Sequence, residues 1–242
     1  MALMSRPPAA RQLRLRLDAP ARRRREDFIT SGVNQAAVRL LDAWPAWLGG
    51  CRALVGPAGS GKSHLADAWL RRARGAALQC GPSLDELAEL RGRPLLLEDA
   101  DACPDDILFH LINMAAEPGA SLLLTSRRTP ALWSTDLPDL RSRLNALPVA
   151  ELHEPDDEVL RGVLARLFRE RHIRPPEDLF AYLLRRIERS VPAAREVVAR
   201  LDEAAMAADR PISRALAREI LEQDRTGDLF GAGKADKAGA NL

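Results

Sequence analysis

Residues 56–63 read GPAGSGKS, which satisfies the spacing GxxxxGK[ST]. The stretch follows an apolar run, CRALV (51–55), and precedes an amphipathic one that begins at Lys62. In that setting each residue type has a physical task. Gly56, Gly59 and Gly61, with Pro57 and Ser60 among them, let successive backbone N–H groups curl around phosphates. Lys62 supplies a point charge for the outer phosphates, the Ser63 hydroxyl suits Mg²⁺, and the helix that follows adds the dipole of its N-terminus. His64 joins the site from that first turn. A chance glycine-rich loop would not be framed by a strand on one side and a helix on the other.

Working outward, the chain alternates. Short apolar runs suited to buried strands lie at CRALV, AALQC (76–80), PLLLED (94–99), ASLLLTS (120–126) and LPVAEL (147–152). Helix-like segments separate them at Asn34–Ala43, Lys62–Arg74, Ser83–Leu90, Asp105–Ala116 and Leu137–Leu144. Such alternation predicts an α/β domain, a parallel sheet with helices on both faces. After His153 the strands cease, and helical spacing is found at Asp156–Arg171, Pro176–Arg189, Pro192–Asp209 and Ser213–Gln223, which predicts a small all-helical second domain. The boundaries expected are a basic tail at 1–25, the α/β domain at 26–152, the helical domain at 153–225 and a mobile tail at 226–242.

Composition narrows the function classes. With 242 residues, 46% of them hydrophobic, the chain can bury a substantial core. Three cysteines without a CxxC pair argue against a disulfide framework or a zinc site, and fit a reducing cytoplasm. No apolar run is long enough for a membrane span, and no secretory signal is visible. The net charge of +2 conceals a basic leader. Residues 1–25 carry eight arginines against one acid, Asp18. Arg22–Arg25 reads either as a solvated charge run or as a contact with a DNA backbone. Trp44 and Trp47 are expected to pack where the first helix turns into the first strand.

The run PLLLED ends in two acids, Glu98 and Asp99, on a buried strand. They are placed to meet a metal and an attacking water, Glu98 as the metal-side acid and Asp99 as the catalytic one. The order Glu–Asp is the reverse of that usual in phosphate-loop enzymes.

With the phosphate loop, this acid pair, the strand LLLTS and a trailing helical domain, the chain resembles the AAA+ family and, within it, the DnaA branch. FITSGVNQAAVRLL (28–41) looks like the segment ahead of the phosphate loop in DnaA proteins, which implies that Asn34 and Gln35 lie near the adenine of ADP or ATP. LRSRL (140–144) looks like the segment bearing an arginine finger, which implies that role for Arg143. AREVVARLDEA (194–204) resembles the sensor 2 helix, which assigns Arg195 to the phosphates of the chain's own nucleotide. At TSRR (125–128), Arg127 stands where DnaA proteins place an acid or amide. With the reversed acids, this implies slow intrinsic hydrolysis.

The leader contains RQLRLRL (11–17), in which Leu13, Leu15 and Leu17 share one side of an extended chain. With Gln12 they match the QL-x-L form of Hda-type regulatory DnaA homologues, whose N-terminal peptide docks into the sliding clamp of DNA polymerase III. The partners implied are DnaA and that clamp, with weak DNA contact and a homodimer as further expectations. Competing expectations are a DnaC-like helicase loader, an independent phosphate-loop ATPase or kinase, and an adaptor in which the nucleotide is structural. In the leader itself, a strand added to the protein's own sheet edge competes with clamp docking. A second peptide, DLFG (228–231), lacks the glutamine.

Overall fold

The computed structural model describes residues 23–79 and 84–231. Gln12, Leu13, Leu15 and Leu17 lie outside them. Five parallel strands form one sheet: β1 (Cys51–Val55), β2 (Ala76–Leu78), β3 (Pro94–Leu97), β4 (Ser121–Ser126) and β5 (Val149–Glu151). Their order is β2-β3-β4-β1-β5. The helices between them are α1 (Gln35–Asp42), α2 (Lys62–Ala73), α3 (Leu84–Ala88), α4 (Asp105–Met114) and α5 (Pro138–Ala146).

Most strand positions are apolar because both faces of the sheet are covered, with Arg52, Thr125 and Ser126 among the buried polar exceptions. Alternate side chains go to opposite sides. Cys51, Ala53 and Val55 of β1, Leu95 and Leu97 of β3 and Leu122 and Leu124 of β4 join a core with α4 and α5. Leu54, Leu96 and Leu123 face the other way, onto α1 and α2. There Trp69 of α2 stacks on Trp47 at 5.2 Å and meets Trp44 edge-on at 6.3 Å. The two tryptophans of WPAWLGG are thus packing residues. Cys51 and Cys103 are buried and joined in no disulfide among the described residues, and burial pushes the Cys51 thiol up to about 12.

A second body follows β5: α6 (Asp157–Glu170), α7 (Glu177–Leu184), α8 (Val191–Ala208) and α9 (Arg214–Gly231). Asp156 opens α6 by accepting from the Val159 N–H at 2.8 Å, and Ser190 opens α8 by accepting from Ala193 at 3.2 Å. Leu160, Leu164, Leu183, Val198 and Leu201 form its own core. α7 stops five residues before the expected Arg189, since Ser190 must be extended to cap α8. α9 runs past the expected Gln223 to Gly231. Among the described residues no helix is long and apolar enough to cross a membrane.

Phe28 and Ile29 join the two bodies. Phe28 belongs to the core against α1 and α2, while its neighbour Ile29 packs into the helical body's core.

Candidate nucleotide site

The carboxyl ends of β1, β3 and β4 lie side by side, with Val55 opposite Ser126 and Leu97 opposite Leu124. In parallel sheets this edge is where ligands bind. It gathers the phosphate loop, the acid pair and Arg127. The loop has the backbone its glycines were expected to permit. Gly56 has φ +155°, and a Cβ there would come within 2.2 Å of the Leu152 carbonyl oxygen. Gly56→Ala should therefore cost roughly 3 kcal/mol, from a backbone clash in a conformation L residues avoid; a thermal or urea melt of the variant checks it, and an unchanged midpoint would refute it.

Lys62 lies at the first position of α2, its ammonium donating to the Gly56 and Pro57 carbonyls at 2.7 and 2.9 Å. Burial and then the Arg127 guanidinium lower its pKa, while Asp99 and, less strongly, Glu98 act to raise it. Both acids therefore act on this ammonium. Asp99 occupies the left-handed region, φ +48°, and its N–H donates to the Thr125 hydroxyl at 3.4 Å. Ser63 is half-buried at the same turn.

Across from the loop stands α8. The Val191 N–H donates to the Gly59 carbonyl at 3.2 Å, and a Cβ on Gly59 would meet the Ser190 Cβ at 2.7 Å. Between loop and helical body lies a cavity of about 490 Å³, within the range of nucleotide-sized pockets. Its walls include Asn34, Gly59, Ser60, Gly61, Lys62, Ser63, His64 and Arg195. Eight residues singled out in the sequence, from three separate stretches, thus share one space. The buried Ser60 hydroxyl, on the loop, has no hydrogen-bond partner among the described residues. A phosphate oxygen would accept from it. Arg195 is exposed on the opposite wall and forms no ion pair among the described residues.

Two assignments take on more detail. Asn34 reaches the cavity, yet its amide closes its own loop, accepting from the Ser31 N–H at 3.0 Å and donating to the Ile29 carbonyl at 2.9 Å. It shapes the wall through the backbone. His64 hydrogen-bonds the Arg24 carbonyl at 2.8 Å and meets Phe28 edge-on, and burial lowers its pKa.

Arg166, which the sequence did not single out, is also a wall residue. Its side chain is 14% exposed, donates to the Asp27 carbonyl at 2.7 Å and pairs with Glu170 at 3.3 Å. It sits mid-helix in a run of other arginines, so only the meeting of α6 with residues 27–29 distinguishes it.

Arg143 lies outside the cavity. It is exposed on α5, with its guanidinium carbon 5.2 Å from the centre of the Phe109 ring of α4.

The walls fit a nucleoside di- or triphosphate. The residues that would hold Mg²⁺ with it are Ser63 and Glu98, oxygen donors of the kind that ion takes alongside phosphates. Among the described residues no group of three or more His, Cys, Asp or Glu side chains forms a metal cluster of its own.

No family model matches the chain. Over 116 residues it is 32% identical to the chromosomal replication initiator protein DnaA of Thermomicrobium roseum, a stretch covering 48% of this chain and 25% of that protein. The chain thus spans about a quarter of that curated relative. Domain III of DnaA from Thermotoga maritima superposes with a TM-score of 0.71 at 18% identity, over 84% of this chain and 97% of that one. AMPPCP-bound DnaA from Aquifex aeolicus gives 0.67 at 18% identity, over 86% and 71%. The chain has the AAA+ fold of DnaA domain III, and over about half its length a sequence similar to DnaA's.

Proposed function

We propose that this chain is a nucleotide-bound, DnaA-like regulator of replication initiation, held on the sliding clamp by its leader, that stimulates hydrolysis of ATP bound to DnaA. The observation that carries the nucleotide half is the cavity, where loop residues Ser60 and Lys62 face Arg195 of the helical body. ADP or ATP, with Mg²⁺, is the ligand class. The similarity to DnaA, and the AMPPCP bound by the Aquifex protein of the same fold, support this reading.

Each residue then has a task. Backbone N–H groups of the loop and the Lys62 ammonium bind the phosphates, the Ser60 hydroxyl donates to them, and Arg195 reaches them from α8. Asn34 holds the 29–34 loop against the base side. Arg143, standing free of this cavity, is available to a triphosphate held by a neighbouring molecule. The reversed acids Glu98 and Asp99, with Arg127 beside Lys62, support slow hydrolysis by the chain itself. Gln12, Leu13, Leu15 and Leu17 supply the clamp peptide, an extended segment whose apolar side chains fit a preformed groove. Tethering raises the local concentration of a weak encounter.

The test is reconstitution. ATP-loaded DnaA mixed with this chain and clamp-loaded DNA should hydrolyse its ATP at least tenfold faster than without the chain. Substituting Gln12 and Leu15 by alanine should remove both clamp pull-down and most of the stimulation. Equal hydrolysis in all mixtures would overturn the reading. An independent ATPase is the second reading, favoured by the phosphate loop after β1 and the acid pair after β3 lying at the same edge of the sheet; sustained turnover by the isolated chain would establish it instead.

A further inference from the structure

The helical body carries a second concavity that shares no wall residue with the nucleotide cavity. It measures about 520 Å³ and is lined by Tyr182, Arg186, Arg214, Ala215, Arg218 and Glu222. Tyr182, on α7, is 6% exposed, and its hydroxyl, buried, has no hydrogen-bond partner among the described residues. The Arg186 guanidinium carbon lies 4.0 Å from the centre of its ring and that of Arg214 lies 5.5 Å away. Neither of these arginines forms an ion pair among the described residues, whereas Arg218 pairs with Glu222 at 2.8 Å. The lining is thus rich in donors: three guanidinium groups and a hydroxyl against one carboxylate that is already engaged. Arg214 and Ala215 also form the first turn of the 18-residue α9, where the helix dipole favours negative charge.

Stacking on the tyrosine alone accounts for two of the arginines, as a cation–π contact. It does not account for the hydroxyl. A buried phenol group without a partner is costly, and such groups are few in folded proteins. An anion with several oxygens would accept from the hydroxyl and from the guanidinium edges together. A carboxylate offers two oxygens; a phosphate group offers three or four, which matches three planar forks and a hydroxyl better.

We propose that Tyr182, Arg186, Arg214 and Arg218 form a phosphate-binding site on the helical body, separate from the nucleotide cavity. The phosphate belongs either to a small phosphate ester or to a nucleic-acid backbone, and both present the same oxygens. The hydroxyl donates one hydrogen bond, Arg186 and Arg214 supply charge-assisted ones from the ring faces, and Arg218, steadied by Glu222, closes the rim.

The experiment uses the full chain loaded with one equivalent of ADP, so that the first cavity is filled without excess diphosphate to compete, and two probes: inorganic pyrophosphate by calorimetry and a labelled single-stranded oligothymidylate by anisotropy. The expected result is one additional pyrophosphate per chain, bound at least tenfold more weakly by Arg186→Gln/Arg214→Gln. Tyr182→Phe should weaken it three- to tenfold with the melting temperature unchanged or raised, since the lost hydroxyl had no protein partner. That combination separates ligand binding from a packing role. A parallel tenfold loss of oligothymidylate binding in the double variant assigns the phosphate to a nucleic-acid chain; loss with pyrophosphate alone assigns it to a small ester. Failure of both probes to bind, or affinities the variants leave unchanged, overturns the site. If the double variant does not fold, Tyr182→Phe decides alone.

Discussion

Arg143→Ala should abolish the stimulation of DnaA-bound ATP hydrolysis, returning the rate to within about twofold of that without the chain, as loss of an arginine finger would, while clamp pull-down stays at the level of the unaltered chain. The geometry makes the expectation sharp. The residue is exposed on α5, outside its own nucleotide cavity, so truncation removes neither core packing nor a wall of that cavity. Its guanidinium rests near the Phe109 ring, a contact that orients the side chain without tying up its five N–H donors. Arg143→Lys keeps the charge and loses the fork, and should recover only a small part of the effect. The measurement is single-turnover hydrolysis with ATP-loaded DnaA in excess clamp. Unchanged stimulation by Arg143→Ala would remove this residue from the mechanism and, with it, the reason for assigning the chain an action on a foreign triphosphate.

Lys62→Ala should weaken nucleotide binding about 100-fold, equivalent to the roughly 3 kcal/mol that a charge-assisted contact to phosphate contributes in a partly enclosed site. The ammonium donates to two loop carbonyls, of Gly56 and Pro57. That arrangement keeps the charge at the mouth of the loop, where incoming phosphates compete for it. Burial and Arg127 already disfavour its charged form, and Asp99 and Glu98 oppose them; an anion of higher charge would tip the balance further toward the ammonium. Equilibrium dialysis with labelled ADP reads the loss, and a melting curve in the absence of nucleotide controls for the two hydrogen bonds removed. An affinity within threefold of the unaltered chain would sink the assignment of the loop. Clamp pull-down, which the proposal assigns to the leader, should be unaffected.

The strands were legible because a sheet covered on both faces keeps most of its positions apolar: Leu95, Leu96 and Leu97 are all buried although they point to opposite sides. The phosphate loop was legible because glycine, lysine and serine at fixed spacing have few other uses between a strand and a helix. What escaped is what depends on the meeting of distant segments. Arg166 joins the cavity only because α6 packs beside Asp27, a separation of 139 residues. Asn34 lines the cavity wall, but nothing in its neighbours said that both ends of its amide would be spent on Ser31 and Ile29. Nor did helical periodicity foretell where α7 stops, since that is decided by the extended Ser190 of the following cap. The order of strands likewise follows from crossovers that no local run encodes.

The consecutive pair Phe28–Ile29 has a mechanical consequence. The backbone crosses between the two bodies where β5 leads through Leu152 to α6, and the side chains of Phe28 and Ile29 add a second point of attachment. A body fastened to another at a single point swivels freely; fastened at two, it turns about the line joining them. A rotation of the helical body about that line would leave Arg166, anchored to the Asp27 carbonyl beside one of those pivots, nearly in place.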